Sequence, residues 1–204
     1  MRIDQPPPGE ELNTGEVTEA RAAATVIPVR DGETGLELLL VQRNPESRFM
    51  GGAWVFPGGA VHEGETEAET AVREAEEEAA LKLDGTTLVP FSRWITPRQV
   101  KVRFDTHFFV APTPADAEPA CDGEECVDLR WIGPGAALEA GKQEELFLVF
   151  PTIKHLEQLA DFGSVEGLLE HARARQVQPV EPRVLVDGGV AQVLLPGEPG
   201  YDDA

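Results

Sequence analysis

The chain is written in short apolar runs punctuated by turn residues. From Ala22, the runs AAATVIPV and LELLLVQR are apolar and partly β-branched, and Asp31-Gly32-Glu33-Thr34-Gly35 separates them. That pattern predicts a β-hairpin. Gly51-Gly52 and Gly58-Gly59 bracket a short strand, AWVFP. Residues 66–83 are rich in Glu and Ala and free of Gly and Pro, which predicts a helix. Beyond it, TTLVPFSRWITP, VRFDTHFFVAP and ECVDLRWIG read as strands, with a loop over 112–123 ahead of the last. Residues 134–140, 152–162 and 165–175 read as helices, and RVLVDGGVAQVLLPG as a closing hairpin around Asp187-Gly188-Gly189. Strands before, between and after helices predict an α/β protein with a mixed sheet flanked by helices.

The length of 204 residues suits one compact domain with extensions. Residues 1–20, with Pro6, Pro7, Pro8 and Gly9 followed by Glu10, Glu11, Glu16 and Glu19, read as a flexible, solvated acidic arm. Residues 21–150 form the expected domain, and 151–204 a helical extension and hairpin packed on it. Asp plus Glu number 37 against 17 Lys plus Arg, a formal charge of −20. Such a field repels nucleic-acid backbones and anionic membranes, so neither is an expected partner. An anionic small molecule would need a cation to enter. Apolar runs such as Leu38 to Val41 and Leu146 to Phe150 fall far short of the roughly 20 residues that span a bilayer. The N-terminus has no apolar stretch behind a positive start, so a cytoplasmic location is expected. Cys121 and Cys126, in an acidic loop, match neither a disulfide framework nor a zinc spacing, and read as reduced thiols.

Eight glutamates lie between Glu63 and Glu78, with Arg73 the one basic residue among them. Charge runs usually make a solvated helix face, and helical phase tests that reading. With Glu74 at zero, Glu78 falls at about 40° and Glu77 at about 300°, while Ala68, Ala71, Val72, Ala75 and Ala79 occupy the neighbouring arc. Glu69 and Glu76 point the other way. Three carboxylates therefore border the stripe of small residues that presses on a sheet, where like charges repel and call for a cation. With no His or Cys at ligand spacing in the helix, oxygen donors point to Mg²⁺ or Mn²⁺. Arg73 is placed to hold a carboxylate in position. Ahead of the helix, Phe56-Pro57-Gly58-Gly59 gives a backbone able to approach a ligand or metal closely.

The stretch from Gly59 to Leu81, GAVHEGETEAETAVREAEEEAAL, resembles the Nudix box, G-x5-E-x7-R-E-U-x-E-E-x-G-U. Gly59, Glu65, Arg73, Glu74, Glu77, Glu78 and Leu81 stand on its fixed positions. Ala75 replaces a bulky aliphatic, and Ala80 replaces the glycine that lets the chain leave the helix, so a helix longer by a residue or a shifted exit is expected. Upstream, Arg48, Gly52 and Phe56 to Gly59 fit R-x3-G-x3-F-P-G-G, a motif of the family's coenzyme A diphosphatases, and the likeness to that branch runs from Ala22 through most of the chain. The resemblance implies the Nudix fold, an α/β/α sandwich carrying the box as loop, helix and loop. It also implies metal-dependent hydrolysis of the pyrophosphate bond in a nucleoside diphosphate linked to X, with coenzyme A or acyl-coenzyme A foremost. The alternatives are ADP-ribose, NADH or a dinucleoside polyphosphate as substrate, or a nucleotide-sensing domain without turnover. The implied ligands of Mg²⁺ or Mn²⁺ are Glu74, Glu77 and Glu78 with Gly59, and Arg73 belongs to the same centre. A general base is expected at Glu124 or Glu125, in the position several relatives use, with Glu63 a third candidate.

Arg43, Arg48, Arg98, Lys101 and Arg103 flank the expected cleft, and the first, second, third and fifth are taken as substrate-binding candidates because surviving cations beside an acidic site suit phosphate. Trp54, Trp94 and Phe104 could stack on a base, although core packing is the more ordinary use of such residues. His107 reads as a strand-face residue, and His155 and His171 carry no signal. The expected partner is a small-molecule nucleotide, and a homodimer stays open.

Overall fold

In the computed structural model, β2 (Arg21–Gly32) is the strand on which the sheet is assembled. The structure describes residues 2–3, 13, 15–47, 49–187 and 190–203; Arg48, Gly188, Gly189 and most of the N-terminal arm lie outside them. Ahead of β2, Arg2–Ile3 form β1. After it come β3 (Gly35–Arg43), β4 (Trp54–Val55), β5 (Gly58–Ala60) and α1 (Glu67–Ala79). Then follow β6 (Val89–Ile95), β7 (Phe104–Pro112), β8 (Cys126–Ile132), α2 (Pro134–Lys142), α3 (Phe150–Leu159) and α4 (Val165–Ala174). The chain closes with β9 (Pro179–Val180), β10 (Arg183–Asp187) and β11 (Val190–Leu194).

β2 pairs in parallel with β7 along nine residues, from Arg21↔Phe104 to Val29↔Pro112. One stretch of it pairs antiparallel with β5, and a later stretch with β3 through the predicted hairpin turn. β3 carries β4 and β8, β7 carries β6, and β6 carries β9 in parallel. The sheet is therefore mixed. β10 and β11 form the predicted closing hairpin as part of a separate small sheet, in which β11 also pairs with β1.

Neighbouring residues on the central strands face opposite layers. Leu39, Val41, Phe109 and Ala111 join Ala71, Ala75 and Ala79 of α1 in one core, while Leu38, Leu40, Phe108 and Val110 join residues of α2, α3 and α4 in the other. Helices thus cover both faces, the α/β/α sandwich expected. Among the described residues no helix is long and apolar enough to cross a membrane. Both cysteines are free, and Cys126 is buried.

The helix boundaries follow local chemistry. Thr66 caps α1 in a capping box: its side chain accepts from the Glu69 backbone N–H, and the Glu69 carboxylate accepts from the Thr66 N–H. The far end departs from expectation. α1 neither lengthens nor shifts past Ala80. Instead Ala80 takes the left-handed conformation a glycine would supply, at φ 53°, and Leu81 N–H closes the turn on the Ala75 carbonyl. The predicted strand start at 86 is replaced by a 3-10 turn over Gly85–Thr87 with Asp84 accepting from the Thr86 N–H, and β6 begins at Val89.

Candidate active site at the edge of α1

The stripe of alanines lets α1 lie close on the sheet, and that approach half-submerges the acidic edge. Glu74 and Glu78 are buried, at 8% and 2% exposure, whereas Glu69 and Glu76 face solvent. Glu77 keeps an exposed side chain. Burial raises the Glu74 carboxyl above its ordinary value and pushes that of Glu78 up to about 7; the charges of Glu77 and Glu125 add to the effect at Glu74, and those of Glu74 and Glu125 at Glu78. Opposing this, Glu78 Oε2 accepts the Gly58 N–H at 3.0 Å, and the Arg43 guanidinium stands 4.0 Å from Oε1.

Arg73 organises this edge. Its Nη1 donates to Glu74 Oε1 and to Glu77 Oε2, both at 2.8 Å, and its Nε and Nη2 donate to the two carboxylate oxygens of Glu65 at 2.9 and 3.1 Å. Glu65 in turn accepts from the Thr70 hydroxyl and the His62 N–H. The Arg73 hydrogen bonds, with those of Thr70 and His62, hold the Glu65 carboxyl down at about 2. Glu65 therefore anchors a fork that presents Arg73 to the other two acids, a role its box position alone does not reveal.

The glycine pair of β5 fits this crowding. A Cβ at Gly59 would lie 2.2 Å from Glu74 Oε1, and one at Gly58 would lie 2.4 Å from Thr25 Oγ1. Among the described residues, no three His, Cys, Asp or Glu side chains converge as they stand to hold a metal ion, because Arg73 bridges Glu74 and Glu77 directly.

Beside this edge opens a cleft of about 580 Å³ lined by Gly58, Gly59, Arg73, Glu74 and Glu77 together with Arg43, Phe49, Val102, Phe104, Thr106 and Glu125. It adjoins an apolar chamber of about 110 Å³, and Phe49, Val102 and Thr106 line both. Trp94, Val100, Phe150, Val184 and Val193 line the chamber further in.

The structure sorts the remaining sequence candidates. Arg43 lines the cleft. Arg48 lies outside the described residues. Arg98 and Arg103 are not brought to the cleft: both pair with Glu181, and Arg103, buried, also donates to the carbonyls of Thr18 and Thr96. Their partners come from distant stretches of chain, and they tie these together. Lys101 contributes its carbonyl to the Thr18 hydroxyl. Glu124 and Glu125 are both exposed, but only Glu125 lines the cleft. Glu63 is exposed as well. Trp54 and Trp94 are core residues, whereas Phe104 lines the cleft and meets Phe49 edge-on at 5.9 Å. His107 sits on β7 opposite Arg93, and His171 packs against the ring of Phe162. His155 is wholly buried, with Ser92 Oγ 2.5 Å from its Nε2 and the Pro151 carbonyl 2.7 Å from its Nδ1, and burial drives its pKa down to about 4. Phe49, Thr25 and Thr106 line the cleft without any sequence signal, since only the meeting of β2, β7 and the loop after β3 brings them together.

A sheet covered by helices on both faces, with this loop and helix at its edge, accords with the family that the sequence matches. Residues 19–152 match the NUDIX domain, and the chain belongs to that family. Its fold is similar to that of a NUDIX hydrolase from Alicyclobacillus acidocaldarius, with a TM-score of 0.68 and 26% identity over 75% of this chain and 96% of that one. The NUDIX domain of Shewanella oneidensis NrtR, solved in complex with ADP ribose, shares the fold at a TM-score of 0.57 and 18% identity, over 71% of this chain and 88% of that one. In sequence, the human acyl-coenzyme A diphosphatase NUDT19 is 30% identical over 116 residues, 54% of this chain and 31% of that protein. The chain thus matches about a third of the length of that curated relative.

Proposed function

We propose that this protein hydrolyses the pyrophosphate bond of a nucleoside diphosphate linked to X, with coenzyme A or an acyl-coenzyme A as X-bearing substrate. The observation that carries the reading is the pairing of two buried, charge-strained carboxyls, Glu74 and Glu78, with a cleft that also receives Arg43 and Glu125. The donor set fits a hard divalent cation: it offers oxygens only, it lacks positive charge in proportion to its acids, and the missing Cβ of Gly59 lets the Glu74 carboxylate lie against that backbone. Glu74, Glu77 and Glu78, with the backbone at Gly59, would hold Mg²⁺ or Mn²⁺ there. Such a cation supplies neutralisation of the diphosphate and an acidified water.

The chain's own groups divide the remaining work. Arg73 holds Glu74 and Glu77 in place from its anchor on Glu65, and release of Glu77 from it leaves that side chain free to turn inward. Arg43 meets substrate phosphate across the cleft. Glu125 accepts the proton as a water oxygen bonds to phosphorus and the bridging P–O bond breaks, its electrons leaving with the departing phosphate. Phe104 and Phe49 offer ring faces and edges to the nucleoside. The chamber beyond them is apolar and uncharged, which suits the long, largely uncharged arm of coenzyme A better than a second nucleotide. The coenzyme A motif residue Gly52 serves the backbone, at φ +78° in the turn where its N–H donates to the Arg43 carbonyl.

The test is a rate comparison. Purified protein is incubated with Mg²⁺ or Mn²⁺ and coenzyme A, butyryl-coenzyme A, ADP-ribose, NADH or a dinucleoside polyphosphate. The expected result is fastest cleavage of the coenzyme A compounds. Cleavage of ADP-ribose with coenzyme A untouched overturns the substrate, and cleavage of none overturns the enzyme.

A further inference from the structure

The loop that carries Glu125 is held far more firmly than an exposed acidic loop needs to be. The Asp122 carboxylate accepts three consecutive backbone N–H groups: Oδ1 takes those of Glu124 at 3.2 Å and Cys126 at 2.9 Å, and Oδ2 takes that of Glu125 at 3.1 Å. Gly123, in the left-handed region at φ +80°, lets the chain fold back so that its own N–H reaches the Cys126 carbonyl at 3.0 Å. From across the sheet edge, Asn44 grips the same residues. Its backbone N–H donates to the Glu125 carbonyl at 2.7 Å, and its Nδ2 donates to the Glu124 carbonyl at 2.8 Å. Asn44 is itself fixed, because its Oδ1 accepts the Glu46 N–H and its carbonyl accepts the Ser47 N–H.

We propose that Asp122 and Asn44 are positioning residues that lock the backbone on both sides of Glu125 and so aim its carboxylate into the cleft. Asn44 directly follows Arg43, and Arg43 pairs with Cys126 at the register shift between β3 and β8. One clamp therefore sets the spacing of Arg43 and Glu125, the cation and the acid that both line the cleft from this edge. A displacement of about 1 Å in a reacting group can cost on the order of a hundredfold in rate, and an alanine at 122 frees three donors at once. This inference rests on the reading of Glu125 as proton acceptor.

Asp122→Ala, Asp122→Asn, Asn44→Ala and Glu125→Gln, with the combination of the first and last, separate the two ideas. Each is assayed with Mg²⁺ and coenzyme A, or with ADP-ribose where coenzyme A is untouched. Thermal melting checks folding, and hydrogen–deuterium exchange follows the peptide spanning 122–126. Asp122→Ala is expected to lower kcat about 10- to 100-fold with KM within about twofold, and to raise exchange in that peptide. Asp122→Asn recovers part of the loss, since its amide oxygen still accepts, and the Asp122 change costs nothing further once Glu125 is Gln. Where Asp122→Ala fails to fold, Asn44→Ala takes its place with the same expectation. Wild-type turnover by Glu125→Gln overturns the proton-acceptor reading. A dead Glu125→Gln beside a fully active Asp122→Ala overturns the clamp alone, as does an undiminished Asp122 effect in the Glu125→Gln background or unchanged exchange.

Discussion

Replacing Glu78 by Gln should make the metal-free protein more stable while disabling the site. The Glu78 side chain is buried under α1, and its carboxyl is pushed from 4.5 up to about 7, chiefly by desolvation. Below pH 4.5 folded and unfolded chains both hold the proton, and it has no effect. Between 4.5 and 7 the folded chain keeps a proton that the unfolded chain releases, so stability falls as pH rises, and above 7 the whole penalty is present. At about 1.4 kcal/mol for each tenfold change in proton affinity, the penalty is on the order of 3 kcal/mol. A Gln keeps an oxygen to accept the Gly58 N–H and never ionises, and it also relieves the neighbouring Glu74. Thermal melts followed by circular dichroism in EDTA at pH 8.5 should place Glu78→Gln above the wild type by about 6–12 °C, at about 2–4 °C per kcal/mol for a chain of this size. At pH 4.5 the two should melt together. Added Mg²⁺ should raise the wild type and leave the variant behind, and turnover of the variant should fall by orders of magnitude. Coincident melts at pH 8.5 in EDTA, or a wild type that is the more stable there, would refute the reasoning.

Two further substitutions test the ends of the box. Ala80→Gly should stabilise by about 0.5–1 kcal/mol in urea unfolding, because a left-handed alanine costs about 1–2 kcal/mol and part of the gain is lost to the freer unfolded glycine; an unchanged midpoint would mean that Ala80 is not held at φ 53°. Gly59→Ala should drive Glu74 from its place, since the added Cβ would lie 2.2 Å from Oε1, and cost about 1–3 kcal/mol of stability together with most Mg²⁺ affinity by calorimetry. Normal Mg²⁺ uptake by that variant would show that Glu74 has another position open to it.

Much of this architecture is legible along the chain because it is local. Phase arithmetic on 74, 77 and 78 places the acids beside the alanine stripe, and the burial of Glu74 and Glu78 follows from the closeness that stripe allows. The sandwich follows from strands with apolar residues on both faces. What escapes the sequence depends on distant pairing. Arg98 and Arg103 are drawn away by Glu181, about 80 positions along, and nothing near them announces that partner. Glu124 and Glu125 are adjacent and alike, and only the curl that Asp122 imposes tells them apart. The exit at Ala80 misleads for another reason: packing of Leu81 into the core beneath α1 overrides the local reluctance of alanine to turn left-handed.

β3 carries Leu38, Leu39, Leu40 and Val41 in succession with no solvent exposure at all. Each alternate residue serves a different layer, so evolution has no neutral ground in the middle of this strand. A change of volume at Leu39 is felt under the acidic helix, and one at Leu40 is felt by the helices behind the sheet. Random mutagenesis should therefore leave a four-residue desert there, with tolerated replacements resuming at half-exposed Glu37 and Gln42, and drift in substrate preference should be sought in the loops around the cleft.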